Sequence, residues 1–203
     1  MAITQYSELL TAAANWSGRS DLTSRIPEYI ALAEAKMNRR LREKDMVTKT
    51  TFNITGEYVA VPTAFGGVKH FHLDTTPRVV LDFMPDHLLT ATYADGATGQ
   101  PEVYNVQGSN FRFGPTPGAT YTSTLVYYLK VPALTSSATT NWMITNHPDC
   151  YLYGVMAELA GYAQDDVGVQ RWITAMYAVI DEIKRASNRD TYGGDSALFA
   201  RPG

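Results

Sequence analysis

Apolar positions recur at helical spacing near both ends of the chain and at strand-like spacing in its middle. In the first segment, three- and four-residue intervals predict a short amphipathic helix that ends at Gly18. Its apolar positions are Tyr6, Leu9, Leu10, Ala13 and Trp16. The second helix is predicted to begin with Ser24 as its cap and Pro27 in its first turn. Its apolar stripe comprises Ile26, Ile30, Ala33, Met37 and Leu41.

The last third of the chain has the same helical period. Pro148 and Asp149 begin one predicted helix, and Asp165-Asp166 separates it from the next. The first of these helices carries Leu152, Val155, Met156, Leu159 and Ala163 on one face. The second carries Val169, Trp172, Ile173, Met176, Ile180 and Ile183. Both stripes predict helices that bury one side.

The middle of the chain is rich in Thr, Val, Tyr and Phe, which favour a pleated, half-buried surface. Turn signals at Thr55-Gly56 and Gly108-Ser109 separate alternating segments. The predicted strands are Val47–Ile54, Tyr58–Val61, Val68–Leu73, Arg78–Leu81, Glu102–Gln107, Asn110–Gly114 and Thr120–Val131. A short helix is predicted at Met84–Thr92.

This order of elements predicts an α+β protein with three parts. Residues 1–45 and 146–191 would form one small helical bundle, because neither helix pair can bury its stripe alone. Residues 46–145 would form an inserted antiparallel β-rich lobe. Residues 192–203 are expected to be an extended C-terminal arm, because two glycines precede its apolar residues.

Composition and charge exclude several classes of protein. The 203 residues are 45% hydrophobic and 18% charged, which fits a packed core with much neutral surface. A net charge of −3 argues against a protein that coats nucleic acid. Neither a membrane-spanning run nor a secretory signal is evident, so no membrane partner is expected. The single cysteine, Cys150, fits folding in a reducing cytoplasm.

Two patterns resemble chemical sites. His70, His72 and Asp74 would share one face of a strand, where three ligands can hold zinc in a metal-dependent hydrolase. The alternative is a polar strand face, and the spacing favours it because no fourth ligand is evident. Cys150 lies three residues after His147, but a nucleophile pair also needs direct contact and an orienting group.

No catalytic motif is found elsewhere in the sequence. Phosphate loops, nucleophile elbows and zinc-protease signatures are all lacking. The sequence therefore predicts a protein that is not an enzyme, with no cofactor, no metal and no catalytic residue.

Basic residues gather at the end of the second helix. Lys36, Arg39, Arg40 and Arg42 are candidates for contact with a DNA channel or an acidic patch on a partner. A solvated helix end that complements the helix dipole is the other interpretation. Aromatic residues are not interleaved with these cations, so DNA would be met without sequence readout.

The C-terminal arm is the stronger candidate for binding a partner. Its apolar residues follow a glycine hinge, where they cannot join the core without a dedicated docking site. Four residues are predicted to dock on a partner or on a neighbouring subunit: Asp195, Leu198, Phe199 and Arg201. A disordered terminus is the alternative.

The stretch from Trp16 to Arg42 resembles the opening of a family of tailed-phage head-to-tail adaptor proteins. Later matching pieces occur in the same order, at residues 111–117, 127–134, 140–149 and 152–154. The family is similar to the tail tubular protein A type of short-tailed phages. These motifs are structural rather than catalytic.

The resemblance implies a structural virion protein that is assembled in the host cytoplasm. Such adaptors bind under the portal protein as a dodecameric ring, extend the DNA channel and provide a platform for the next tail or nozzle protein. The helical bundle is then expected toward the portal and the β-rich part toward the tail.

A second hypothesis is a tail-associated module that binds carbohydrate or the host surface. Aromatic side chains of the β-rich lobe would supply its stacking platforms, at Phe111, Phe113, Tyr121, Tyr127 and Tyr128. The four amphipathic helices argue against it, because receptor-binding tail proteins are usually fibrous and β-rich throughout.

Overall fold

A computed structural model describes residues 2–93 and 96–192. The chain divides into two units, each with its own core. The helical unit comprises Met1–Met46 and Val131–Gly203, and the β unit comprises Val47–Lys130. The α+β class predicted from the hydrophobic pattern is confirmed. Residues 131–145 belong to the helical unit rather than to the β-rich part with which the sequence pattern groups them.

Six helices occur in the described residues. They are α1 (Tyr6–Ser17), α2 (Ile26–Arg40), α3 (Asp86–Thr92), α4 (Trp142–Asn146), α5 (Pro148–Tyr162) and α6 (Asp166–Tyr192). Gly18 ends α1 in the left-handed conformation, with φ of 62°, as its position predicts. Ser24 does not cap α2, because a 3₁₀ turn at Ser20–Arg25 precedes the helix and Arg25 takes the cap position.

The helix α5 is the centre of the helical unit and packs against α1, α2 and α6. It is apolar on most of its circumference, as a central helix requires, with Tyr151, Leu152, Val155, Met156 and Leu159 all buried. A Cβ atom on Gly154 would lie 2.8 Å from the Cβ of Ala33. Gly154 therefore permits the close approach of α2 and α5 in the bundle.

Ten strands occur among the described residues of the β unit. They are β1 (Val47–Ile54), β2 (Tyr58–Ala60), β3 (Phe65–Leu73), β4 (Val79–Val80), β5 (Asp82–Phe83), β6 (Thr98–Gly99), β7 (Val103–Gln107), β8 (Asn110–Gly114), β9 (Thr116–Pro117) and β10 (Tyr121–Leu129). Two four-stranded sheets have the orders β1-β10-β3-β4 and β2-β8-β7-β5, and β6 pairs with β9. Most pairs are antiparallel, and β5–β7 and β6–β9 are parallel.

Aromatic rings fill the space between the two four-stranded sheets. Phe71 of β3 and Phe111 of β8 have ring centroids 5.3 Å apart, and both side chains are fully buried. Aliphatic residues Ile54, Leu73 and Leu125 complete the cluster. Alternation along each strand directs these side chains to one face, as strand geometry requires.

None of the helices in residues 2–93 and 96–192 combines the length and the apolar character that crossing a membrane would require.

Candidate partner-binding surfaces

The predicted docking residues of the C-terminal arm, Asp195, Leu198, Phe199 and Arg201, lie outside the described residues. The helix α6 continues through Tyr192. The described residues therefore end where the predicted arm begins, and the docking role of the arm stays a prediction.

Lys36 and Arg40, from the predicted basic cluster, are engaged within the helical unit. The Nζ atom of Lys36 lies 2.6 Å from Oε1 of Glu158 on α5. The guanidinium carbon of Arg40 lies 3.6 Å from the ring centroid of Tyr177 on α6, a cation–π contact. Both side chains therefore help to join helices, which the sequence pattern of a basic run could not indicate.

Arg39, Arg40 and Arg42 are exposed, whereas Lys36 is half-buried. Arg42 donates from Nη1 to the carbonyl oxygen of Asn38, 2.9 Å away, in the last turn of α2. That contact satisfies a helix-end carbonyl group and complements the helix dipole. Within the part of the chain that the structure describes, Arg39 makes no ion pair and no side-chain hydrogen bond. It is the cation of this cluster most available to a partner.

A row of aromatic side chains lies on the helical unit. Trp16 and Trp172 have ring centroids 5.8 Å apart, and Trp172 stacks on Tyr153 at the same distance. The guanidinium group of Arg171 lies 4.4 Å from the Trp172 ring centroid. A cavity of about 210 Å³ beside this row is lined by both tryptophans together with Met156 and Leu159. Trp16 and Arg171 are exposed, whereas Trp172 and Tyr153 are half-buried. Aromatic and arginine side chains at a surface are enriched in protein–protein interfaces.

Exposed apolar side chains also occur at one end of the helical unit and on the β unit. Val167, near the start of α6, is 81% exposed. On the β unit, Phe83 is 60% exposed and Val80 is 53% exposed. Isolated apolar residues are normal on a surface, whereas aromatic side chains exposed to this degree mark candidate contact sites.

Arg112 holds together part of the β unit. Its Nε atom lies 2.7 Å from Oε1 of Glu57, and its Nη1 atom lies 2.8 Å from Oδ1 of Asp86. Nη1 also donates to Oγ1 of Thr90 at 2.7 Å. Because Asp86 and Thr90 lie on α3, Arg112 fastens that helix to β8. Its contacts with two carboxylates and one hydroxyl group identify Arg112 as a structural residue.

His70, His72 and Asp74 do come together at the end of β3. The rings of His70 and His72 are 4.9 Å apart, and Nε2 of His72 lies 3.2 Å from Oδ1 of Asp74. The other carboxylate oxygen of Asp74 accepts a hydrogen bond from Oγ1 of Thr124. Across residues 2–93 and 96–192, however, no three His, Cys, Asp or Glu side chains form a group that could hold a metal ion.

Cys150 is fully buried at the start of α5. Burial, together with the smaller effect of the nearby Asp149 charge, raises the pKa of its thiol to about 12. The thiolate is the reactive form of cysteine. A thiol with such a pKa is a packing residue, so the geometry does not support the Cys150–His147 nucleophile pair.

The aromatic platforms of the carbohydrate-binding hypothesis are largely absent from the surface. Phe111, Phe113 and Tyr127 are 0%, 1% and 7% exposed and belong to the core of the β unit. Alternation in β8 places Phe111 and Phe113 on the same face, and that face is the inner one. This part of the hypothesis is wrong, because buried rings cannot stack on a sugar.

A buried polar network, which the sequence analysis missed, holds residues 131–141 to the helices α2 and α5. Oε1 of Glu34 accepts hydrogen bonds from the backbone N–H of Leu134, at 2.7 Å, and from the hydroxyl group of Tyr151, at 2.9 Å. Asn141 donates to the Tyr151 oxygen and to the carbonyl oxygen of Pro132, both at 2.7 Å. Burial raises the pKa of the Glu34 carboxyl group. In the sequence, this network is indicated only by the position of Glu34 on the apolar face of α2.

A family model described as SU10 adaptor protein matches residues 4–198. No curated protein matches the chain.

Proposed function

The chain belongs to the SU10 adaptor protein family, and from this premise we propose that it forms a ring beneath the portal protein of a tailed phage. The family match over nearly the whole chain carries this proposal, because it includes both units. The ring would extend the DNA channel and provide the platform for the next tail or nozzle protein.

Membership of the family makes the chain a structural adaptor protein of a phage virion, located at the head–tail junction. Its partners are portal and tail proteins in general. The family is a structural one and is not known for enzymatic activity. The match supports a head-to-tail adaptor and does not extend to the tail tubular protein A type.

We assign the aromatic row of the helical unit to the portal side and the exposed apolar residues of the β unit to the tail side. Trp16, Trp172 and Arg171 have the composition of an interface anchor. Phe83 and Val80 offer a smaller apolar surface on the β unit. Substituting Trp16 by Ala is therefore expected to weaken portal binding more than substituting Phe83 by Ala.

Residues 192–203 are proposed to dock on the portal protein or on a neighbouring subunit. Leu198 and Phe199 would be the apolar anchors, and Asp195 and Arg201 the polar ones. Truncation after Tyr192 should weaken portal binding at least tenfold. Portal binding unchanged by the truncation would contradict the docking role.

Arg39 is the best candidate of the basic cluster for contact with DNA or with an acidic portal patch. It is exposed and free of the contacts that engage Lys36 and Arg40. Charge reversal at Arg39 should reduce phage infectivity without lowering the melting temperature. Arg185, which is exposed on α6, provides a matched control for reversal of a surface charge. Equal infectivity of the two variants would leave Arg39 as a solvated helix end.

Light scattering after size exclusion tests the ring proposal most directly. The protein alone is expected to be a monomer, assembled in the host cytoplasm and joined to the portal by templating. Mixed with the portal from the same phage, it should bind in a one-to-one subunit ratio, twelve copies on a dodecameric portal. A stable trimer alone, with no portal association, would instead favour a tail-associated module that binds the host surface.

A further inference from the structure

A cavity with several charged lining residues lies in the helical unit, beside the last third of α6. Its volume is about 240 Å³. Its lining comes from the 3₁₀ turn that follows α2, from the α4–α5 junction and from α6. The lining residues are Glu43, Lys44, Asp45, Asn146, His147, Ile183, Ala186, Ser187 and Asp190. We refer to it as the Glu43 cavity.

Negative charge exceeds positive charge around the Glu43 cavity. Its lining includes the carboxylates of Glu43, Asp45 and Asp190 and a single cation, Lys44. The Lys44 ammonium group already pairs with Asp190. The backbone N–H of Lys44 donates to Oγ of Ser187 at 2.8 Å, which fixes the turn against α6. Glu43 and Asp45 are thus left without an ion-pair partner among the described residues.

Glu43 is the member of this group that needs a partner most. Its side chain is only 4% exposed, and its Oε1 atom has no hydrogen-bond partner in the described part of the chain. Burial raises the pKa of its carboxyl group, although the N–H groups of Asp45 and Met46 favour the ionised form. Native proteins rarely leave a buried carboxylate oxygen unpaired, because its lost hydration is then uncompensated.

The other buried glutamate of the helical unit provides the contrast. Glu34 is buried to a similar degree, but its Oε1 atom accepts two hydrogen bonds from within the protein. Glu34 is therefore satisfied by its own chain. Glu43 combines the same burial with an unpaired oxygen and a cavity, which is the arrangement of a binding site.

We propose that the Glu43 cavity binds the guanidinium group of an arginine side chain that a protein segment inserts. Among residues 2–93 and 96–192, no cluster of acidic, His and Cys side chains could hold a metal ion instead. A guanidinium group is planar and weakly hydrated and presents five N–H donors, so a single group can donate to several acceptors of the cavity lining. A lysine ammonium group is compact and strongly hydrated, and it suits a buried site less well.

The proposal rests on the adaptor function only for the second of its two possible sources of the arginine. Two sources fit this chemistry. One is Arg201 from the C-terminal arm of this protein, which begins two residues after Asp190 in the cavity lining. The other is an arginine of a different virion protein.

Nuclear magnetic resonance of the full-length protein tests the site without any partner. The probe is N-acetyl-arginine amide, and N-acetyl-citrulline amide is its neutral isostere. Arginine amide should shift the backbone amide signals of residues 44–46 and 187 with a dissociation constant on the order of millimolar, as expected for one contact group. Citrulline amide should bind at least tenfold more weakly. Equal shifts with the two probes would overturn the proposal.

Substitution of Glu43 by Gln tests whether arginine binding requires the charge of this side chain. This change keeps the shape of the side chain and removes its charge, so arginine binding should weaken at least tenfold. The matched control is Glu182→Gln, an equal change of charge at an exposed position of α6. Arginine affinity that is unchanged in Glu43→Gln would refute the site. If that variant does not fold, the side-chain carboxyl resonance of Glu43 in the unmodified protein serves instead, and it must move on arginine addition.

The Arg201→Gln variant tests whether Arg201 is the source of the arginine side chain that enters the cavity. Tighter binding of arginine amide in this full-length variant means that Arg201 of the protein itself competes for the cavity. Unchanged binding assigns the cavity to an arginine of another virion protein. Because these measurements use the adaptor alone, they are independent of whether it forms a ring on the portal.

Discussion

The two units bury polar groups differently. The helical unit encloses two glutamates, Glu34 and Glu43, among apolar helices. The β unit has no carboxylate among its described buried residues, and its core is a cluster of phenylalanine rings with aliphatic neighbours. Its two buried carboxyl groups therefore make the stability of the helical unit depend on pH, whereas the fit of the rings is the main feature of the β unit's core.

In each unit, the side chain of one charged residue also holds a neighbouring segment in place. In the helical unit, Glu34 holds residues 131–141, and in the β unit Arg112 holds α3. The difference is burial, since Glu34 is enclosed whereas the ion-pair partners of Arg112 are partly exposed. A buried group is costly when it loses its partner, and a surface pair is not. The helical unit is thus the more sensitive of the two to changes of charge.

The largest expected effect is in the aromatic core. Phe111 contacts the rings of Phe52, Phe65, Phe71, Tyr104 and Phe113. Substitution by Ala should cost about 3–5 kcal/mol of unfolding free energy, because it leaves a cavity among rings that cannot close around it. Urea unfolding followed by tyrosine fluorescence measures it. Phe83→Ala, at a position 60% exposed, is the control and should change stability by less than about 1 kcal/mol.

The second prediction concerns the buried carboxylate. Glu34→Ala should cost about 2–3 kcal/mol, because the Leu134 N–H and the Tyr151 hydroxyl both lose their acceptor in a buried place. Glu34→Gln retains an acceptor oxygen and should cost much less. Denaturant unfolding of both variants gives the comparison. If Glu34→Ala and Glu34→Gln lose the same unfolding free energy, then residues 131–141 depend on the charge of Glu34 rather than on its hydrogen bonds.

The third prediction concerns the close approach of α2 and α5. Gly154→Ala should cost about 1–3 kcal/mol, since the added Cβ atom would meet the Cβ of Ala33 at 2.8 Å. Gly161→Ala, in the same helix, is the matched control, because the nearest atom would be 3.7 Å away. Alanine favours a helix over glycine, so this control should be neutral or stabilising. Thermal melting of the two variants distinguishes a packing requirement from helix propensity.

The smallest expected effect is a pH dependence confined to the helical unit. Burial raises the pKa of Glu34 in the folded protein, so the folded state holds this proton more tightly than the unfolded state. The favourable contribution is complete below the ordinary glutamate pKa of 4.5 and is lost as the pH rises through the folded-state pKa. The Glu34→Gln variant should therefore lose less stability than the unmodified protein between pH 4.5 and neutral.

Unfolding in urea at a series of pH values checks this prediction. The exposed variant Glu182→Gln should reproduce the profile of the unmodified protein. If Glu34→Gln also reproduces it, the carboxyl group of Glu34 titrates alike in the folded and unfolded states, and its burial has no consequence for proton binding.

The fold could be predicted where local chemistry decides it. Gly18 takes the left-handed conformation that ends α1 without the strain that a Cβ atom would add, and Pro148 marks the start of α5. The strands β1 and β8 have the bounds that alternation predicts, at Val47–Ile54 and Asn110–Gly114. Such signals need only neighbouring residues, so they can be read along the chain.

Other features could not be predicted because they join distant parts of the chain. Glu34 meets Leu134 and Tyr151, which lie 100 and 117 residues away in sequence. Lys36 and Arg40 belong to a basic run in the sequence, but contacts with α5 and α6 engage both. Alternation shows that Phe111 and Phe113 share a face, and it does not say whether that face is inner or outer.

The sequence by itself thus determined the periods, the turns and the helix ends, and with them an α+β protein with helices at both ends. Its motifs, through their resemblance to phage adaptors, also indicated the family. Only the tertiary structure decided which polar residues are satisfied and which, such as Glu43, remain unpaired in a cavity. The physical reason is that propensity and periodicity act over a few residues, whereas burial and pairing depend on which distant segments meet in space.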